Sequence, residues 1–369
     1  MNSYPVGDRL ISVPRTGRSL DGGRNGRNRC PKRNVRRSWS SLSAHQRMGE
    51  LTPLPSNIHT AYMTVRLAMD HDERMVAVRV VLDGLSVGDA LGSAIGEGFV
   101  KHPMALMKRR IPAGVHAWTD DTAMAVEIAG VLQRCGTIDE DLLARAFAAR
   151  YMHEPRRGYG GTAHRILTAI GNGEPWREIS RTAFGGAGSM GNGSAMRVAP
   201  IGAYFADDPA RIVDEARRSV LPTHWNEDAQ AGAVAVALAT GWCWRMRKQQ
   251  RSPRSLFEHV ISFLPATSVR AGVEAASMLS PQQLAHEAAR TLGNGSDVLC
   301  RDTVPFVLWS AARALDSYEN AFWETATGLG DIDTTCAMVG AIVAAAGSGP
   351  PQEWLSARES LPRACALDL

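Results

Sequence analysis

Ligand-spaced cysteines, membrane-length apolar runs and strand-like alternation are all scarce in this sequence, and each scarcity excludes a class of protein. The 369 residues hold six cysteines, Cys30, Cys135, Cys243, Cys300, Cys336 and Cys365, and none forms a CxxC pair or another metal-binding spacing. Four of them fall inside apolar or helical segments, where a thiol behaves as a small core side chain. The expectation is a reducing, cytoplasmic compartment, with neither a disulfide framework nor a zinc site. No window approaches the roughly twenty continuous apolar residues of a membrane span. The N-terminus has charges but no apolar core behind them, so it does not read as a secretory signal. Alternating apolar and polar runs are nearly missing, which argues against a β-rich fold.

Acidic residues are scarce only at the start. The first fifty residues carry Arg9, Arg15, Arg18, Arg24, Arg27, Arg29, Lys32, Arg33, Arg36, Arg37 and Arg47 against Asp8, Asp21 and Glu50. The formal net charge of +4 therefore belongs to that stretch, and the rest of the chain is slightly acidic. Gly, Ser, Asn, Pro and Arg without a hydrophobic period predict disorder, so residues 1–72 are set apart as a basic tail. The tail is a nucleic-acid-contacting arm, a linker, or leader sequence ahead of a start at Met48, Met63 or Met69. Its arginine richness is a weak nucleic-acid signal, limited to nonspecific contact.

From about residue 73 to 369 the pattern is helical, and the expectation is one compact all-α domain. Apolar positions recur at helical spacing in 123–132, where Met124, Ile128, Val131 and Leu132 share a face, and in 139–151, with Leu142, Leu143, Phe147 and Tyr151. Further helices are expected at about 163–170, 208–220, 227–246, 303–315 and 318–328, with two or three more between 247 and 300. Two glycine-rich passages interrupt the pattern, Gly158-Tyr-Gly-Gly-Thr162 and Gly185 to Ser194.

Two acidic clusters resemble each other. Trp118-Thr119-Asp120-Asp121-Thr122 and Gly330-Asp331-Ile332-Asp333-Thr334 each place two carboxylates and a threonine just ahead of an apolar helix. Asp and Thr are favoured N-caps, and anions suit the positive end of a helix. A cap needs one such residue, however, and paired carboxylates repel unless positive charge lies between them. Carboxylate and hydroxyl oxygens are the ligands of a hard divalent cation. The duplication favours two half-sites facing each other.

Taken in order, Gly88-Asp89-Ala90-Leu91-Gly92, the first acidic cluster, Gly191-Asn192-Gly193-Ser194-Ala195-Met196-Arg197, Thr223-His224 and the second acidic cluster resemble the ADP-ribosylglycohydrolase family. This is the family of dinitrogenase reductase-activating glycohydrolase and the ADP-ribosyl-acceptor hydrolases, and the resemblance covers nearly all of residues 80–355. It implies a compact all-α fold with a dinuclear cleft holding two Mg2+ or Mn2+ ions. It also implies hydrolysis of the bond between ADP-ribose and an acceptor, on an ADP-ribosylated protein or a small ADP-ribose conjugate. Reversal of arginine ADP-ribosylation is the first expectation, and a non-catalytic ADP-ribose-binding protein of the same fold is the alternative.

Carried over by residue, Thr119, Asp120, Asp121, Asp331, Asp333 and Thr334 would be the metal ligands, with Asp120 and Asp331 also catalytic. Gly191, Asn192, Gly193 and Ser194 would offer backbone N–H groups to a pyrophosphate. His224 and Gly160 would line the ligand pocket. Glu97 is the candidate acid/base, although it stands slightly late after Gly88-Asp89 for the family pattern. Asp89 is expected to brace its surroundings, and Arg197 to bond internally.

Overall fold

The structure, a computed structural model, describes residues 67–99, 104–280 and 282–369. The basic tail assigned to residues 1–72 lies almost wholly outside the described residues. So does the side chain of Glu97, although its backbone is helical.

In chain order the helices are α1 His71–Phe99, α2 Met104–Met107, α3 Asp120–Cys135, α4 Glu140–His153, α5 Gly161–Gly171, α6 Trp176–Thr182, α7 Ala199–Tyr204 and α8 Pro209–Val220. They continue with α9 Glu227–Met246, α10 Pro253–Phe263, α11 Ser268–Met278, α12 Ala285–Leu292, α13 Cys300–Arg313, α14 Tyr318–Ala326, α15 Ile332–Ala345 and α16 Gln352–Ala357. Among the described residues there is no β-strand, only isolated bridges between His116 and Arg358 and between Gly191 and Leu299. The all-α expectation holds. None of these helices is long and apolar enough to cross a membrane.

Seven helix starts among the described residues follow from side-chain capping. Thr119, Asp139, Asp208, Asn226, Ser252, Thr267 and Ser317 each accept a first-turn N–H through the side chain. Each such cap contributes about 1 kcal/mol. Both α9 and α15 are buried on nearly every side, as expected of helices that are apolar all round.

The site is positioned by the pairing of α1 with α15. A Cβ at Gly84 would stand 2.4 Å from Gly340 O, one at Gly88 2.2 Å from Cys336 O, and one at Gly92 2.8 Å from Asp333 Cα. As the numbering rises along α1 it falls along α15, so the two helices run antiparallel with their backbones nearly touching. Small residues spaced by four put one face of α1 against the partner. The contact carries Asp89 and Gly92 to the N-terminal end of α15, where the second acidic cluster sits. Tyr318 locks the other end by donating its hydroxyl to Gly84 O at 2.5 Å.

Cys243, Cys300 and Cys336 are buried free thiols and Cys365 is a partly exposed one. Cys135 is disulfide-bonded, a bridge that stands against the expectation of a reducing compartment without a disulfide framework.

Candidate functional site

Asp89 is fully buried in the middle of α1, and both its oxygens are engaged. Oδ1 and Oδ2 accept the Thr119 N–H at 3.1 and 2.9 Å, and Oδ2 accepts the Thr122 N–H at 3.1 Å. The Thr122 hydroxyl adds a bond of 2.5 Å and the Thr119 hydroxyl one of 2.8 Å. Asp89 thus holds the N-terminus of α3 against α1, the bracing role expected of it.

Thr119 also caps α3 by accepting the Asp121 N–H. That leaves Asp120 and Asp121 with no capping duty. Asp121 is buried; its Oδ2 lies 3.1 Å from Thr119 Oγ1 and 3.3 Å from Thr334 Oγ1. The second contact joins the two acidic clusters across 213 residues of sequence. Asp121 Oδ1 has no hydrogen-bond partner at all.

In the second cluster Asp331 occupies the N-cap position of α15, but its side chain makes no capping bond. Asn192 donates to Asp331 Oδ2 at 2.7 Å, and the Asp331 N–H is bound by Asn294 O at 3.1 Å. Gly295 leaves room for it: a Cβ there would stand 2.5 Å from Asp331 Cβ. Asp333 Oδ1 accepts the Thr334 N–H at 2.9 Å.

Burial, followed by the repulsion of neighbouring carboxylates, raises the pKa of Asp120 to about 8 and that of Asp331 to about 8. Asp121 is pushed well above its usual range for the same reasons. Arg197 is the positive group that opposes this at Asp120. Ionised together, these carboxylates need a concentrated positive charge. A hard divalent cation fits the donor set, and the orphaned Asp121 Oδ1 gives it a ready oxygen. Among the described residues no three Asp, Glu, His or Cys side chains are already closed into a coordination sphere. The cluster is therefore a set of oxygen donors of the type that a hard divalent cation takes.

Beside the carboxylates lies a cleft of about 420 Å3, lined among others by Gly92, Ser93, Thr119, Arg156, Gly158 and Asp331. A larger cleft of about 630 Å3, between Asn226 and Glu274, contains none of the expected site residues. Gly158 lines the first cleft with φ +88°, and a Cβ there would approach Asp120 Oδ1 to 3.4 Å. Gly160, the residue picked from sequence, is the exposed N-cap of α5 and faces open space. The passage reaches the cleft through Gly158 instead.

The second glycine passage is arranged differently from expectation. The Gly191 N–H goes to Ser189 Oγ at 3.2 Å and the Asn192 N–H to Val298 O at 3.0 Å, so these two donors are taken. The Asn192 side chain turns inward to Asp331 and to Thr303 Oγ1. The Ser194 hydroxyl is buried and bonds Ala229 O at 2.9 Å.

His224 packs beneath the passage. Cβ atoms at Gly191 and Gly193 would stand 3.2 Å from its Nε2 and 3.3 Å from its Cε1. Burial, then the nearby Arg197, lowers its pKa to about 3, so it is neutral. His224 Nδ1 meets Thr223 Oγ1 at 2.7 Å, and Arg197 donates to the same hydroxyl at 2.7 Å. Arg197 also donates to Ser219 O, so its bonds are internal, as expected.

The sequence reading missed Asn294 and Gly295, which seat Asp331, and Arg157, whose carbonyl accepts the Asp120 N–H at 2.6 Å. Gly293-Asn294-Gly295 was a visible turn signal, but its partner was not.

Comparison with known proteins bears on the family and the fold. A family model described as ADP-ribosylglycohydrolase matches residues 70–368. The chain is 33% identical to the ADP-ribosylhydrolase ARH3 of Danio rerio over 45% of its own length and 49% of that protein's. It is 36% identical to the ADP-ribosylhydrolase ARH3 of Xenopus tropicalis over 42% and 48% of the respective lengths. The chain thus spans about half the length of these curated relatives. A solved structure titled ADP-ribosylglycohydrolase-related protein complex superposes with a TM-score of 0.54 at 26% identity, covering 78% of this chain and 94% of that one.

Proposed function

The chain belongs to the ADP-ribosylglycohydrolase family, and on that premise we propose that it hydrolyses the glycosidic bond between ADP-ribose and an acceptor, with protein ADP-ribosyl-arginine as the first acceptor to test. The observation that carries the reading is the meeting of the two acidic clusters at Thr334 Oγ1 and Asp121 Oδ2, with Asp121 Oδ1 left without a partner. Two Mg2+ or Mn2+ ions held by Thr119, Asp120, Asp121, Asp331, Asp333 and Thr334 would supply Lewis acidity toward vicinal hydroxyls and a water.

The chain's own residues do the rest. The carboxylates oppose the positive charge that develops on the sugar ring in an oxocarbenium-like transition state. Asn192 holds one Asp331 oxygen and Asp89 holds the start of α3, so the two halves keep their spacing as substrate enters. Glu97 is the proposed acid/base residue. The ligand's diphosphate is assigned to the Gly191–Ser194 passage over His224, through donors other than the Gly191 and Asn192 N–H groups, which are taken. The substrate is an ADP-ribosylated protein or a small ADP-ribose conjugate, and a cytoplasmic location is proposed from the buried free thiols of Cys243, Cys300 and Cys336, against the one bridged Cys135.

The test is release of free ADP-ribose from an ADP-ribosyl-arginine peptide with Mg2+, with EDTA, and with Mg2+ restored. Release that EDTA stops and Mg2+ restores is the expected result. Release untouched by EDTA contradicts the cation site. Mg2+-dependent ADP-ribose binding without release contradicts the arginine acceptor and calls for other linkages.

A further inference from the structure

Arg157 stands next to the cleft, and its side chain is consumed by four partners. Its Cζ lies 3.5 Å from the centroid of the Trp118 ring. Its guanidinium donates to Trp118 O at 3.1 Å, to Glu154 at 2.8 Å, and to both oxygens of Glu359 at 2.7 and 3.0 Å. A planar guanidinium with five donors can satisfy such a set together, and a lysine ammonium cannot. The Arg157 carbonyl meanwhile accepts the Asp120 N–H at 2.6 Å, one of the donors that a helix start leaves without an intrahelical partner.

The Glu359 end of this arrangement belongs to a segment remote from the cleft in sequence. His116 bonds Ala357 O at 2.7 Å and accepts the Glu359 N–H at 2.8 Å, while Trp118 Nε1 donates to Ser360 O at 3.3 Å. A second tie runs deeper. Glu154 pairs with Arg150 at 3.1 Å, and Arg150 with the wholly buried Glu127 of α3 at 2.8 Å. Glu127 in turn accepts the N–H groups of Cys365 at 3.0 Å and Ala366 at 2.9 Å. The segment from Ala357 to Ala366 is thus bolted to α3 at its middle and at the loop that precedes it.

We propose that Arg157 is a positioning residue for the cation site, and that the 357–366 segment acts on that site through the Glu359–Arg157 pair. Glu359 fixes the guanidinium, and the guanidinium fixes Trp118. The Arg157 carbonyl then sets the main chain on which Asp120 and Asp121 are mounted. This rests on the cation site of the hydrolase reading.

The test uses the full chain and measures Mg2+ affinity by calorimetry, alongside kcat and KM at saturating Mg2+. R157A should weaken Mg2+ binding about tenfold or more, the range for partners that orient a metal's ligands. E359Q, which keeps shape but removes the charge, should weaken it less, and R157K should recover only part of the loss. At saturating Mg2+, kcat should fall more than KM changes. A purely structural role would lower melting temperature and leave Mg2+ affinity unchanged. That result in folded R157A, or in E359Q if R157A does not fold, overturns the proposal. A wild type that binds no Mg2+ removes the cation site and this proposal with it; wild-type binding with unchanged variants removes this proposal alone.

Discussion

The two acidic clusters are near copies in sequence, yet the molecule builds them in different ways. In the first, Thr119 performs the capping and Asp89 grips it from α1, so Asp120 and Asp121 have no capping duty. In the second, Asp331 sits at the cap position without capping, held by Asn192 through its side chain and by Asn294 through its backbone. Simple capping accounts for one threonine and for none of the carboxylate side chains at 120, 121 and 331. The lesson is that like motifs are supported by unlike scaffolds, and that the surplus carboxylates are the ones the proposed cation site calls on.

The comparison can be broken most sharply at its centre. D121N and D331N should each reduce turnover by roughly a thousandfold, because a bound cation contributes several kcal/mol of transition-state stabilisation. Helical circular dichroism should be preserved in both. Steady-state kinetics that find only one of the two impaired would show that the halves do not act together.

The next largest effect is on folding. G88A would place a methyl group 2.2 Å from Cys336 O, and no flexible side chain can yield there. Destabilisation of about 3 kcal/mol is expected, read from the urea midpoint, with α1 and α15 forced apart and both halves of the site affected alike. Wild-type stability would mean that the helices are not in backbone contact.

N192A separates the halves. It removes the bond to Asp331 Oδ2 and leaves the Asp120–Asp121 half untouched. Mg2+ affinity should fall about tenfold, with little change in melting temperature without metal. An unchanged affinity would show that Asp331 needs no such support.

The smallest effect lies outside both halves and serves as a control. Burial pulls the Glu140 pKa upward, but the hydrogen bond and charge of Arg218 outweigh it and the net shift is downward. A carboxylate whose folded pKa lies below its unfolded value stabilises the fold above the unfolded value and loses that contribution as pH falls through the folded one. E140Q should therefore melt slightly below wild type at neutral pH, and the gap should close below about pH 4. Hydrolysis at neutral pH should be unaffected. A gap that widens in acid would reverse the sign of the interaction.

Much of this was legible in the chain. The helices expected from 139, 227 and 318 do start there, capped by Asp139, Asn226 and Ser317, and 227–246 is helical over the range its pattern suggested. Three helices occupy the unclear stretch between 247 and 300. What was not legible depended on partners far away in sequence. Gly84, Gly88 and Gly92 signal close approach, but nothing local says that α15 is what approaches. Asn192 and Ser194 are read from sequence as backbone donors, and nothing local says that the fold turns their side chains inward, to Asp331 and to Ala229 O. Gly160 looks equivalent to Gly158, but it is Gly158, at positive φ, that lies beside Asp120. The short α6 and α16 were missed because helices of seven and six residues give too few turns for a periodic signal.

The most direct measurement is anomalous diffraction from crystals grown with Mn2+. The account predicts manganese peaks in the cleft between the two acidic clusters, with Asp121 on one side and Asp331 and Asp333 on the other. Manganese bound elsewhere, with that space empty of it, would contradict the claim that the two clusters are halves of one site.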